Sequence, residues 1–248
     1  MKKSNYRSYI CKGVNNSISL LKSNRFIIEN ITILKGGRAQ KNKKLKTLLN
    51  DKDVFVLDKN EFYKQFSDER KQDIIIQFSG ELVKKTIPDF KNRKNVCLLA
   101  LDRIEDPQNF GQIIRTAECG GINGIIFSKH HSAPITETVL KVSQGAFTNI
   151  NIYEVTNLKQ SINQLKKNDF WIIGLENQIN SKPWYAVDYS PKTVIVLGSE
   201  GKGMRKTIMQ ACDFIATIPM QGNTGSLNVS ASASAVIFER LRQKMEDR

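Results

Sequence analysis

The sequence is poor in anything that binds a soft metal. Its four cysteines, Cys11, Cys97, Cys119 and Cys212, stand far apart without a C-x-x-C pair, and His130 and His131 are its only histidines. No metal site is expected from such a set. Three of the cysteines sit in or beside apolar runs and read as small core residues of a reducing, cytoplasmic compartment. The histidines of SKHHSAP follow a strand-like run and read as a solvated loop. No run of about 20 apolar residues occurs, which excludes a membrane-spanning helix. The opening MKKSNYRSYICKG has no apolar run behind its basic residues, so no secretory signal is expected. No acid precedes Glu29, as in a transit peptide, but the stretch is rich in Lys and Asn rather than Arg. Both the P-loop pattern and G-x-G-x-x-G are missing, which argues against nucleotide enzymes of the dehydrogenase kind. The last absence is local. A quarter of the chain is charged, yet Phe214 through Phe238 contains no Asp, Glu, Lys or Arg.

The charge that is present is unevenly spread. Residues 1–95 hold 22 Lys and Arg against 10 Asp and Glu, whereas residues 96–248 hold 16 against 14. Nearly all of the net +14 therefore belongs to the front. Lysines cluster in KGGRAQKNKKLK (35–46) and FKNRKN (90–95). Either cluster alone reads as a solvated face. The asymmetry between halves argues for a polyanion-binding region joined to a part with a different function. Lys41, Lys43, Lys44 and Lys46 are the candidate phosphate contacts, because phosphate neutralisation needs charge but no motif.

Hydrophobic patterning supports the division. A helix over 13–23, the strand IENITILK, a helix to Asn50, VFVLD (54–58), a helix through Phe66 and DIIIQF (73–78) make a small α/β unit over 1–79. The polar, aperiodic stretch 80–95 reads as a linker. From 96 to 248, short apolar strands alternate with helices over 110–120, 134–146, 157–168, 204–211 and 227–245. That alternation predicts a mostly parallel sheet covered on both faces.

Ligands collect at the carboxyl ends of strands in such sheets, and three strand exits carry unusual residues. In DRIEDPQNFGQIIRTAECGG (102–121), Asn109 is placed to cap the helix, and Gly111 and Arg115 lie four apart. In VIVLGSEGKGM (194–204), glycines surround Glu200, implying backbone close to a ligand. In IPMQGNTGSLNVSASASAVIFER a flexible turn leads to a helix capped by Ser226 or a neighbour, with no solvated face in its first turns. Such a helix must be packed on most sides, either against a ligand or at a domain or subunit contact.

Together, DPQNFGQIIRTA, LGSEGKGM and IPMQGNTGSLNVS, in this order, resemble the three signature motifs of the SpoU (TrmH-type) RNA ribose 2′-O-methyltransferases of the SPOUT superfamily. The likeness covers the whole back domain. The front, with YICKGVNNSISLL, is similar to the small α/β substrate-binding domain of bacterial members that methylate a guanosine of 23S ribosomal RNA. Relatives that act on transfer RNA are the alternative.

The resemblance implies an α/β SPOUT domain whose C-terminal segment forms a deep trefoil knot, against the usual unknotted path. It implies S-adenosylmethionine as cofactor, held around Gly198, Gly201, Ile218, Met220 and Leu227, and a site completed across a homodimer. On this reading Arg115 orients the target nucleotide and stabilises the developing alkoxide; a guanidinium stays protonated near neutral pH and is no ordinary base. Asn109, Glu200, Ser226 and Asn228 shape the site by hydrogen bonds, and no metal is needed. Ribosomal RNA ranks ahead of transfer RNA as partner. A non-catalytic RNA-binding ribosome-assembly factor is the rival, and the complete set of five residues argues against it. The chain departs from the family at Ala235, where relatives usually carry glycine, and at RKQDI (70–74), where relatives have His-Gln-Gly.

Overall fold

The computed structural model describes residues 6–66, 72–178 and 181–246, and they fall into two compact units. The first holds β1 (Ser8–Lys12), α1 (Val14–Ser23), β2 (Ile27–Leu34), α2 (Arg38–Lys41), α3 (Lys43–Leu49), β3 (Phe55–Leu57), α4 (Lys59–Gln65) and β4 (Ile74–Ser79). Its sheet has the order β1-β4-β2-β3. Strand β4 runs antiparallel to both β1 and β2, and β2 pairs in parallel with β3. The reason lies in the residues of β4: Ile74, Ile75, Ile76 and Phe78 are all buried, as a central strand covered on both faces requires.

Strand β1 escapes the sequence reading because SYICK is short and ends in a charge; its pairing with β4 makes it a strand. The helix expected up to Asn50 is broken in two at Asn42. That residue is extended (φ −75°, ψ 115°), and its side chain accepts from the Leu45 amide and so starts α3. Within the altered stretch 70–74, residues 70 and 71 lie outside the described residues, and Asp73 accepts from the Ala39 amide at 2.9 Å.

The second unit holds β5 (Cys97–Leu101), α5 (Pro107–Cys119) and β6 (Gly124–Ser128). Next in the chain comes α6 (Glu137–Val142), which groups with the first unit, and then β7 (Ile152–Val155), α7 (Leu158–Lys166), β8 (Trp171–Leu175), β9 (Lys182–Pro183), β10 (Thr193–Leu197), α8 (Lys206–Met209), β11 (Phe214–Thr217) and α9 (Val229–Glu246). The helix expected over 134–146 is thus shorter, and Gly145, left-handed at φ 92°, separates α6 from a 3-10 turn at Ala146–Thr148. Segment Glu137–Asn149 is tied to the rest of the first unit by the Lys12–Glu137 ion pair (2.7 Å) and by Arg25 donating to the Thr148 carbonyl (2.8 Å). Phe147 stacks on Phe78 there, with ring centroids 5.9 Å apart.

The second sheet is parallel throughout, in the order β7-β6-β5-β10-β8-β11-β9. Strands β5, β6 and β10 are buried along their whole length, which explains why they read as unbroken apolar runs. The stretch 80–95, read as a linker, is anchored instead. Lys84 donates to the Ile152 carbonyl and its own carbonyl accepts from the Glu154 amide, extending β7's edge, while Phe90 is buried against Phe170. Single anchors of this kind leave no periodicity for a sequence reading to find.

The sheet order positions the site. Strands β5, β10, β8 and β11 are neighbours, so four carboxyl-terminal exits open side by side at the point where the strand order reverses.

Candidate active site at four strand exits

Helix α5 begins earlier than expected, and Asn109 is not its cap. Asp106 takes that place, its carboxylate accepting from the amides of Gln108 (2.9 Å) and Asn109 (3.3 Å), with Pro107 at the first helical position. Proline there gives up an N–H that the helix cannot use, and aspartate is among the strongest caps. The Asn109 side chain, 5% exposed, is thereby released from capping and serves the site instead. Its Nδ2 donates to Glu200 Oε1 at 2.9 Å, and its Oδ1 accepts from Asn228 Nδ2 at 2.9 Å. Asn228 Nδ2 also donates to Glu200 Oε1, at 2.6 Å. Three residues from three strand exits, far apart in sequence, thus close one hydrogen-bonded ring.

Asn228 carries a second duty. Its Oδ1 accepts from the Ser230 amide at 2.8 Å and starts α9, so the cap expected at Ser226 or a neighbour falls to Asn228. Ser226 stays exposed and forms no hydrogen bond among the described residues.

The loop after β10 is a tight hairpin, with Ser199 and Gly203 exchanging backbone hydrogen bonds (3.2 and 2.9 Å). Gly198 admits no side chain, because a Cβ would stand 2.3 Å from the Met204 nitrogen. The hairpin exit is held by carboxylates from the two strands flanking β10. Glu176, after β8, accepts from the Met204 amide at 2.8 Å, and Asp102, after β5, accepts from the Arg205 amide at 2.8 Å. Asp102 is 0% exposed and also pairs with the Arg205 guanidinium at 2.7 Å. A buried carboxylate needs such partners to stay charged. Asp102, Arg205 and Glu176 escape the sequence reading, and only an acid directly behind each apolar strand could have marked two of them.

A cleft of about 310 Å³ opens over these loops. Gly198, Gly201, Ile218, Met220 and Leu227 all line it, together with Glu200, Ser226 and Asn228. A second cavity of about 220 Å³ shares Ser199, Glu200 and Val229 with the first and adds Asn109, Lys202 and Arg103. Arg103 is left-handed at φ 61°, a conformation uncommon outside glycine. Glu200 stands between the two spaces. Arg115 lies outside both linings; it is exposed on α5 and its side chain has no hydrogen bond or ion pair among the described residues. Gly111, expected to share its face, is buried.

The uncharged run divides in two. Residues 221–228 are exposed in the single chain, while Val229, Ser230, Ala233, Val236 and Ile237 of α9 are buried. The flexible turn expected at 221–225 is exposed, and the helix expected from 227 starts at Val229 with one face buried. That face packs on α5: Thr116 and Ser234 hydroxyls lie 3.3 Å apart, and a Cβ on Gly120 would stand 2.1 Å from Ile237. Small residues are required there by close approach of the two helices. Ala235 is half-buried.

Lys41, Lys43, Lys44 and Lys46, in the first unit, are all exposed. Among the described residues no His, Cys, Asp and Glu group could hold a metal, and no helix is long and apolar enough to cross a membrane.

Known proteins resemble this chain in sequence and in fold. The family model of the SpoU rRNA Methylase family matches residues 96–238. A candidate TrmH family tRNA/rRNA methyltransferase of Staphylococcus saprophyticus is 43% identical over 147 residues, covering 59% of each chain. The 23S rRNA (guanosine-2′-O-)-methyltransferase RlmB of Pseudomonas aeruginosa is 42% identical over the same length, so the match spans 59% of each of these relatives. Among solved structures, the SpoU methyltransferase AviRb from Streptomyces viridochromogenes, in complex with AdoMet, superposes with a TM-score of 0.80. It covers 97% of this chain and 92% of its own at 18% identity, a likeness of fold.

Proposed function

Because the chain belongs to the SpoU rRNA Methylase family, we propose that it methylates a ribose 2′-hydroxyl of RNA, using S-adenosylmethionine, with a guanosine of 23S ribosomal RNA as the target ahead of transfer RNA. The observation that carries this reading is the Asn109–Glu200–Asn228 ring standing between two adjoining cavities. The larger suits the cofactor. Its volume lies at the lower end of small-molecule sites, and its walls at Gly198, Gly201, Ile218, Met220 and Leu227 combine open backbone with apolar side chains. When bound, the cofactor supplies a methyl group on a positively charged sulfur that leaves readily.

What remains for the protein is alignment and charge stabilisation. The protein would have to present the ribose hydroxyl to the methyl group and leave a path for its proton to pass to water as the C–O bond forms and the methyl–sulfur bond breaks. Glu200, with Oε1 held by two amides, keeps the hairpin wall in place beside both cavities. Ser226 adds a free hydroxyl at the cleft. Arg115, without a partner of its own, orients the nucleotide through a phosphate and offsets the developing alkoxide charge. The exposed lysines of α2 and α3 capture the RNA backbone. A homodimer completes the site: Leu227, Phe238 and Met245, 44%, 48% and 65% exposed, are apolar surface that a second copy would cover. The trefoil knot around the C-terminal segment belongs to the same proposal. The test is a map of 2′-O-methyl positions in total RNA with and without the gene. One position lost and restored by the purified chain supports the reading; identical maps overturn it.

A further inference from the structure

Among the acids near the cleft, Glu176 has a carboxylate oxygen with nothing to do. It is the first residue after β8, the strand between β10 and β11, so it stands in the middle of the four exits. Its Oε2 accepts from the Met204 amide at 2.8 Å. The carboxylate lies over Gly203, where a Cβ would come within 2.4 Å of it, so only glycine leaves it room. Oε1 has no hydrogen-bond partner among the described residues. The group is half-buried and lines the larger cavity only, whereas Glu200, whose Oε2 is also without a hydrogen-bond partner among the described residues, is exposed, faces both cavities and has Oε1 fixed by two side-chain amides. Its neighbour Asn177 is satisfied at both ends, donating to the Gly225 carbonyl (3.0 Å) and accepting from the Thr217 hydroxyl (2.9 Å).

An ionised carboxylate only accepts. One pinned by a backbone amide and open on its other oxygen is arranged to receive hydroxyl donors at fixed positions, and adjacent hydroxyls on a sugar ring meet that need. We propose that Glu176 recognises a vicinal diol, the ribose of the cofactor's nucleoside half, and that its second role, holding Met204, couples the occupied cleft to the hairpin. This rests on the cofactor reading above.

The test uses the full chain and S-adenosylhomocysteine, which lacks the sulfonium and so removes simple charge attraction, beside its 2′-deoxy and 3′-deoxy counterparts. Calorimetry of the unaltered chain should show at least one deoxy form binding roughly tenfold or more weakly, the scale of one hydrogen bond to a charged group. In Glu176→Ala that penalty should shrink below about twofold, with S-adenosylhomocysteine itself weakened toward the deoxy level. Glu176→Gln keeps an acceptor for Met204 and serves where the alanine variant unfolds; it too should show a reduced penalty. Variants that are folded and retain the whole deoxy penalty overturn the assignment. Failure of the unaltered chain to bind S-adenosylhomocysteine overturns the cofactor reading and this assignment together.

Discussion

The two units solve different problems with different physics. The first has a mixed four-stranded sheet and carries its excess lysines on exposed helices. The second has a seven-stranded parallel sheet, a lower density of net charge (+6 over 153 residues against +8 over the first unit's 95), and carboxylates and amides held by named partners. Capture of a polyanion needs only density of charge, because counterion release is indifferent to detailed geometry. Chemistry needs groups fixed to within fractions of an ångström. Charge is therefore free to accumulate where structure demands least, whereas the carboxylates at the strand exits are held by partners.

The sharpest way to break this comparison is at Arg115. Arg115→Ala should lower the methylation rate by roughly 10²–10³-fold, the range for removing one group that stabilises developing charge, while leaving cofactor affinity unchanged. Equal turnover in single-turnover assays would remove Arg115 from the reaction. The first unit is tested by changing Lys41, Lys43, Lys44 and Lys46 together to Gln. RNA affinity should fall, and the slope of log affinity against log salt should flatten by roughly 0.7 to 0.9 for each phosphate that is no longer neutralised. Binding of the cofactor should not move. An unchanged salt slope would make the cluster a solvated face and send the search to Lys84 and Lys85.

A smaller effect separates the units by stability. Burial pushes the Cys11 thiol of the first unit up to about 12 and raises that of Cys97 in the second, so near neutral pH neither offers the reactive thiolate until its unit opens. Cys119 is exposed and should label at once. The smaller first unit buries a lower fraction of its surface. Pulsed thiol labelling in rising urea should therefore modify Cys11 before Cys97. Simultaneous labelling would mean the units unfold as one.

Much of the site is legible in the chain, and the failures share a cause. Strands β5, β6 and β10 read directly because burial on both faces forces unbroken apolar runs. The motifs mark Asn109, Glu200 and Asn228, but local pattern assigns Asn109 the wrong role, because Asp106 competes for the same cap and an acid before proline wins it. Residues 227 and 228, read as the packed start of the helix, belong instead to the exposed loop, because a lack of charge is common to buried helices and to loops around a ligand. Strand β1 and the anchors at Lys84 and Phe90 depend on partners distant in sequence, and no window of local pattern contains them.

What the sequence determined by itself is therefore what local pattern and composition can carry: which buried apolar runs are strands, where the lysines are, and which motifs follow three of the strands. The tertiary structure alone decided that those exits meet. Asn109 and Glu200 are 91 positions apart, and Asn109 and Asn228 are 119 apart. They touch because β10 inserts between β5 and β8, an order that does not follow the chain. Parallel neighbours are joined by crossovers rather than turns, so strand order is set by how helices and sheet pack together, and periodicity along the chain is silent about it.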